Sequence, residues 1–297
     1  MDSKHNGAVL DTVDKSTVID CVNCGFAHVM PLPDTEASKK FYDKEFYDTE
    51  KPDYFKYAEE DMEWWMATYN HYYDLLEAHT KGRRLLDIGS GPGYFLDAGR
   101  ERGWDVVGFE PSVAAVEYST KRGLSVVHDV FTIESAVSYG LFDAVVLSMV
   151  LEHVPDPIRL LEDAKASLAP GGLILIIVPN DYNPLQKLLR THLGFKPWWV
   201  VPTHHLNYFT VQSLAALLET QGFSPLETET SYPMELFLLS GRNYVGNPDV
   251  GRACHKERKT FEMALFSGDK VLLQKMYSGW AKEGIGREVV LVARRKD

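Results

Sequence analysis

Cysteine is scarce: the chain has 297 residues and three of them are Cys. Cys21 and Cys24 stand close together and Cys254 stands apart, so a disulfide framework of the small secreted kind is excluded. Long apolar runs are missing too. Stretches such as Leu173 to Val178 fall far short of the ~20 residues that span a bilayer, and no membrane span is expected. The opening MDSKHNGAVL lacks the apolar core of a secretory signal, so a cytoplasmic protein is expected. Positive charge is in deficit, with 31 Lys and Arg against 42 Asp and Glu and a net charge of −11. Such a surface repels phosphate backbones at long range, and no nucleic-acid partner is expected. A small anionic substrate stays compatible, because a few basic residues in one cleft suffice. Internal repeats and low-complexity tracts are absent. What remains is 45% hydrophobic and 25% charged, the balance of a folded globular protein. At ~150 residues per domain the length suggests one large domain or two modest ones.

Residues 35–80 are rich in aromatic side chains at helical spacing: Phe41, Tyr42, Phe46, Tyr47, Trp64, Trp65, Tyr69, Tyr72 and Tyr73. From about residue 83 the pattern changes. Short apolar runs (RLLDIG, DVVGFE, LSVVHD, FDAVVLS, GLILIIVP) alternate with helix-length amphipathic stretches. Gly or Pro punctuates nearly every junction, as in SGPG, EPS and APGG. That alternation is the sequence form of a parallel sheet with helices on both faces, an α/β doubly wound fold. A loop-rich insertion follows Pro179 to about Thr210, then a helix VQSLAALLETQ closed by Gly222. Strands are expected around Phe223–Thr230 and Arg287–Ala293, with a mostly helical segment between them.

The most informative stretch runs from Arg84 to Leu96, RLLDIGSGPGYFL. A buried strand delivers Asp87, and Gly89, Gly91 and Gly93 allow a tight turn before a helix begins near Tyr94. Positions without side chains let a ligand lie against the backbone, with amides at the helix start pointing at it. The dinucleotide fingerprint G-x-G-x-x-G needs a third small residue where this chain has Tyr94, which disfavours a nicotinamide cofactor.

G-x-G-x-G after an acidic strand end resembles the first motif of class I S-adenosylmethionine (SAM) dependent methyltransferases. The segments around it keep that family's order and spacing over roughly residues 83–230. Glu110 ends DVVGFEPS where the family's acidic residue accepts hydrogen bonds from both ribose hydroxyls, a task suited to an acceptor-only carboxylate. Asp129, in VVHDV, matches the residue that contacts the adenine amino group, with Val130 as apolar neighbour to the ring. SMVLEHVPDP and APGGLILIIVPN match the family's fourth- and fifth-strand segments. The resemblance implies a Rossmann-like, seven-stranded, mostly parallel sheet with an N-terminal helical lid and a C-terminal helical insertion. It divides the chain into a knuckle remnant and lid (1–80), a SAM-binding domain (81–231) with an acceptor insertion at about 180–210, a helical cap (232–286) and a last strand (287–297). It also implies a cofactor set of Asp87, Gly89, Ser90, Gly91, Gly93, Tyr94, Phe95, Glu110, Pro111, Ser112, Asp129, Val130, Ser148, Met149 and Val150. The aromatic residues of 41–73 are expected to pack on the sheet. As a lid over SAM, Tyr42, Tyr47, Tyr57 and Trp65 would be the candidates, since a sulfonium is favoured near aromatic faces.

CVNCG resembles one half of a zinc ribbon of the kind that some SAM methyltransferases acting on deoxysugars carry. In those the first C-x-x-C-G lies upstream, where this chain has Ser3 and Asn6 before Gly7. His5 and His28 are nitrogen donors in principle. The reading adopted is a decayed ribbon that keeps the turn, with no metal site.

Methyl transfer requires the acceptor aligned at ~3 Å from an activated carbon, exclusion of water and, for a protonated acceptor, a base. Histidine suits that role near neutral pH, so His153, His204 and His205 are the catalytic candidates, with Tyr208 and Asn180 as orienting groups. Lys187, Arg190 and Lys196 with Trp198 and Trp199 read either as a partly basic, aromatic-walled pocket or as a solvated helix followed by a loop that plugs the core. Met234, Leu236, Phe237, Leu238 and Leu239 read as packing surface for the insertion or for another subunit, which would make a homodimer. The basic run Arg252, His255, Lys256, Arg258 and Lys259 reads as a solvated face. The expected function is methyl transfer from SAM to a small polar acceptor: a sugar, sugar nucleotide or secondary metabolite, by O-methylation. The alternatives are a quinone- or phenol-type methyltransferase and a non-catalytic SAM-fold binding protein.

Overall fold

The computed structural model describes residues 5–32 and 59–297. The first strands are β1 (Gly7–Val13), β2 (Ser16–Cys21) and β3 (Phe26–Met30). Helix α1 (Met62–His79) leads into β4 (Arg84–Ile88), α2 (Tyr94–Glu101), β5 (Asp105–Glu110), α3 (Val113–Lys121), β6 (Val126–His128), α4 (Ile133–Ala136) and β7 (Phe142–Ser148). Then come α5 (Pro157–Ser167), β8 (Leu168–Pro179), α6 (Pro184–Leu193), β9 (Asn207–Tyr208), α7 (Val211–Thr220) and β10 (Phe223–Thr230). The chain closes with α8 (Glu235–Leu239), α9 (Pro248–Gly268), α10 (Lys270–Lys282) and β11 (Glu288–Arg295). Among the described residues no helix is long and apolar enough to cross a membrane.

One sheet has seven strands in the order β10-β11-β8-β7-β4-β5-β6. Strand β4 pairs in parallel with both β5 and β7, and β5 with β6. The last strand is the exception: Ser231 bonds to Glu288 while Gly222 bonds to Lys296, so β10 and β11 run in opposite directions. The expected α/β, mostly parallel, seven-stranded sheet is therefore present. Its central strands carry no polar alternation because helices cover both faces, and Leu85, Leu86, Val145, Val146, Leu173 and Leu175 are all buried.

The chain separates into two compact units. One holds residues 59–176, 221–226 and 292–297. In it the C-terminal half of α1 is tied down by stacking and by hydrogen bonds. Tyr73 stacks on Phe95 at 4.5 Å, and its hydroxyl donates to the Phe95 carbonyl at 3.2 Å. Arg102 donates to Asp74 at 2.8 Å and Glu77 at 2.9 Å, and the Trp104 indole donates to Glu77 at 3.0 Å. Of the aromatic residues read as core or lid, Trp64, Tyr72 and Tyr73 are buried, and Trp65 stacks on Tyr69 at 5.5 Å. Phe41, Tyr42, Phe46, Tyr47 and Tyr57 lie outside the described residues.

The other unit holds residues 5–32, 177–220 and 227–291. Here the division differs from the expected one. The N-terminal segment, expected as a knuckle remnant, forms an antiparallel sheet, and β9 from the insertion joins it as a fourth strand, Ala27 opposite Tyr208. Trp199, Val200, Leu206 and Tyr208 share one core with Val18, Ala27 and Val29. The N-terminus and the insertion thus fold together because each supplies the apolar face that the other lacks. The expected cap is helical, with one correction. Arg258 is buried rather than solvated: its guanidinium donates to Glu262 at 3.1 Å and lies 3.8 Å from Glu288. Tyr277 completes the group by donating to Glu262 at 2.7 Å.

Candidate active site

Strand order reverses at β4, whose neighbours are β5 on one side and β7 on the other. In such sheets a ligand crevice forms beyond the carboxyl ends of the strands at that point. The register brings the expected residues there: Asp87 lies opposite Gly108 and Val146, and Glu110 lies opposite His128. Glu110, Asp129 and Ser148 end or follow β5, β6 and β7, so the cofactor candidates line one edge of four adjacent strands.

The glycine loop behaves as a turn that only glycine makes easily. Gly89, Gly91 and Gly93 have φ of 75°, 51° and 77°, and helix α2 begins directly after them. A Cβ on Gly89 would fall 2.6 Å from Cγ2 of Val150, so Val150 packs directly on the loop. The amides of the loop itself are satisfied within the protein. Gly89 and Ser90 donate to the Phe109 carbonyl, Gly93 to Ser90, and Gly91 to Glu110 at 2.8 Å. What the loop offers a ligand is side-chain-free surface. Tyr94 and Phe95 are buried, the first with its hydroxyl 3.1 Å from that of Tyr118 and the second stacked on Tyr73.

Glu110 is buried, and each of its oxygens takes one backbone amide, from Gly91 and from Ser112, both at 2.8 Å. A carboxylate oxygen accepts two bonds, so each keeps one acceptor direction. Burial pushes its carboxyl above the ordinary range, and the two amides work against that shift. Asp87 is more extreme. Burial, aided by the nearby Glu110 charge, raises it from 3.8 to about 7. Its Oδ1 is enclosed without a hydrogen-bond partner among the described residues, as is Ser90 Oγ. A buried polar atom without a partner costs stability, so a ligand that donates to it is favoured. The crevice therefore fits a polar, cationic ligand that brings its own donors.

The remaining candidates divide. Asp129 and Val130 are exposed, and Asp129 Oδ1 accepts from the Val130 amide at 2.8 Å, which leaves its other oxygen for a ligand. Ser112 caps helix α3 and Pro111 is held through its carbonyl by His128 Nε2 at 2.9 Å, so both act by shaping the turn after Glu110. Met149 has a φ of 56°, a strained value for a side chain of its size, and Ser148 beside it is half-buried. Two residues that the sequence did not single out stand at the site, and the first supports the glycine loop. Arg122 donates to the Pro92 carbonyl at 2.6 Å, pairs with Asp97 at 2.6 Å and stacks over Tyr94 and Tyr118. Glu152, buried beside His153, places a carboxylate oxygen 3.6 Å from His153 Nε2.

In the other unit, His204 and His205 are half-buried in a turn where both amides donate to the Val201 carbonyl. Asn180 does not serve as an orienting group for a ligand through its amide nitrogen, which donates to the carbonyls of Gly284 and Gly286. Nor is Arg190 a free cation for an acceptor. Asp11 accepts from it at 2.7 Å and from the Tyr182 hydroxyl at 3.0 Å. Trp199 is core, as the plug reading has it. Asp181 was not anticipated: burial raises it to about 6 while Arg287, 3.8 Å away, works against the shift.

A sequence profile described as a methyltransferase domain matches residues 53–228, more than half of the chain. The chain belongs to the methyltransferase-domain family. Its fold is that of the class I SAM-dependent enzymes, and SAM is the family's methyl donor. This methyltransferase-domain chain is 33% identical over 156 residues to the ubiquinone biosynthesis O-methyltransferase of Dinoroseobacter shibae, covering 50% of this chain and 62% of that protein. It is 29% identical to the C-methyltransferase NovU of Streptomyces niveus, covering 51% of this chain and 35% of that one. The match thus spans less than two thirds of either relative. A crystal structure of a SAM-dependent methyltransferase from Archaeoglobus fulgidus superimposes with a TM-score of 0.53 at 20% identity, over 82% of this chain and 99% of that one. That likeness is one of fold.

Proposed function

We propose that the protein is an enzyme that moves a methyl group from SAM to a hydroxyl of a small polar acceptor. The observation that carries the reading is the pair of enclosed carboxyls at one strand edge, Glu110 with an acceptor direction left on each oxygen and Asp87 with an enclosed, unpartnered Oδ1. Bound there, SAM supplies a methyl group on a positively charged sulfur. Asp87 and Ser90 would hold its polar tail, Glu110 its ribose, and Asp129 and Val130 its adenine. A carboxylate suits both ends, because it offers acceptors only and its charge balances a cation.

On the acceptor side, His204, His205 and His153 are the candidates for the base, one of which takes the acceptor's single proton as the oxygen attacks. The acceptor is a sugar, sugar nucleotide or related secondary metabolite, met without the help of Arg190, whose charge is paired with Asp11. The identity to a ubiquinone O-methyltransferase supports a second reading, a quinol or phenol acceptor. Isotopically labelled SAM offered with a panel of sugar nucleotides and a panel of phenols separates the two, with the labelled product identified by mass. Either panel giving a labelled ether supports O-methylation; label on carbon or nitrogen contradicts it. His204→Ala and His205→Ala are expected to reduce turnover at least 10-fold between them while SAM affinity holds. Full activity in both removes them as bases.

A further inference from the structure

We propose that His5, Cys21, Cys24 and His28 form a closed structural site for a zinc ion at the end of the N-terminal sheet. The four come from separate places in the sequence and meet at one point. His5 precedes β1, Cys21 ends β2, Cys24 lies in the turn, and His28 lies on β3 opposite Ile19. The turn is built for this: Gly25 has a φ of 77° and donates to the Cys21 carbonyl at 2.9 Å, while Val22 donates to the Asn6 carbonyl and draws the start of the chain in.

One ligand atom from each residue lies within 4.8 Å of all the others. His5 Nδ1 is 3.1 Å from His28 Nε2, 3.5 Å from Cys24 Sγ and 4.0 Å from Cys21 Sγ. A tetrahedral zinc with bonds of about 2.3 Å to sulfur and about 2.0–2.1 Å to nitrogen sets its ligand atoms about 3.3–3.8 Å apart. The three distances from His5 Nδ1 are within about half an ångström of that spacing, and the other pairs lie inside 4.8 Å. Hydrogen bonding explains it poorly, because one ring nitrogen faces three partners and has a single proton or lone pair to offer. His28 shows the expected outer support: its Nδ1 donates to the Val29 carbonyl at 2.9 Å, which leaves Nε2 unprotonated and aimed at the cluster. Cys21 and His28 are both buried, so the site is shielded from competing ligands. With four protein ligands no position is open for a substrate, and the role is to hold β1, β2 and β3 together. Binding would release two thiol protons and leave a site with no net charge.

The two missing cysteines that suggested decay are thus replaced by imidazoles, one upstream and one on the following strand. The full chain, purified without chelator, is expected to carry one zinc per chain by elemental analysis. After chelation, Co²⁺ added alone should give the visible bands of tetrahedral cobalt and a near-ultraviolet thiolate-to-metal band. His5→Ala and Cys24→Ser should each weaken metal binding by about 100-fold or more without changing SAM affinity. His5 sits half-buried at the chain start, so its variant keeps the test meaningful where Cys24→Ser fails to fold. Zinc well below one per chain with no cobalt spectrum, a Cys21–Cys24 disulfide in its place, or undiminished metal in both variants overturns the assignment.

Discussion

Asp87 has its carboxyl fully enclosed, and its protonation therefore reports on the pocket. Its value in the fold is about 7 against an ordinary 3.8. Over that interval the unfolded chain releases the proton more readily than the fold does. The stability contributed by the protonated group is complete below about pH 4 and is lost as pH rises through about 7. Asp87→Asn stays neutral throughout, so its melting temperature relative to wild type, measured without SAM, should climb as pH is raised from 5 to 8. A difference independent of pH would place the proton elsewhere. Asp87 and Glu110 were legible in the sequence because each closes its own apolar run just before a turn, within a few residues of the signal. Arg122 and His128 were not, since what they hold, the Pro92 and Pro111 carbonyls, is set by the packing of α3 and β6 rather than by neighbours in sequence.

The helices α9 and α10 show what a charge pattern hides at the scale of an element. A run of basic residues looks like one solvated face, yet the helix turns Arg258 inward onto Glu262, which also accepts from Tyr277, while Arg252 and Lys256 stay exposed. Removing one partner of a buried ion pair leaves the other uncompensated. Arg258→Ala is accordingly expected to cost about 3–5 kcal/mol in denaturant unfolding. A cost below about 1 kcal/mol, the worth of an exposed pair, would show that the pair is solvated after all. The strands of the parallel sheet were readable for the opposite reason. Buried on both faces, β4, β7 and β8 are nearly uninterrupted apolar runs, and no partner needs to be known to recognise them. Strand β9 has only Asn207 and Tyr208, and nothing local says that it pairs with β3 almost two hundred residues earlier. That is why the N-terminal sheet and the insertion read as separate pieces.

At the scale of the molecule, the acidic balance and the missing apolar spans narrowed the classes, and motif order along the sheet named the fold. The account's central claim is that the strand edge bearing Asp87 and Glu110 holds SAM, and calorimetric titration of the purified chain with SAM tests it most directly. One molecule per chain is expected, with the affinity of a Glu110→Ala variant, shown folded by circular dichroism, weaker by about 1–3 kcal/mol for the lost acceptor. No binding by the wild-type chain, or equal affinity in the variant, would contradict it.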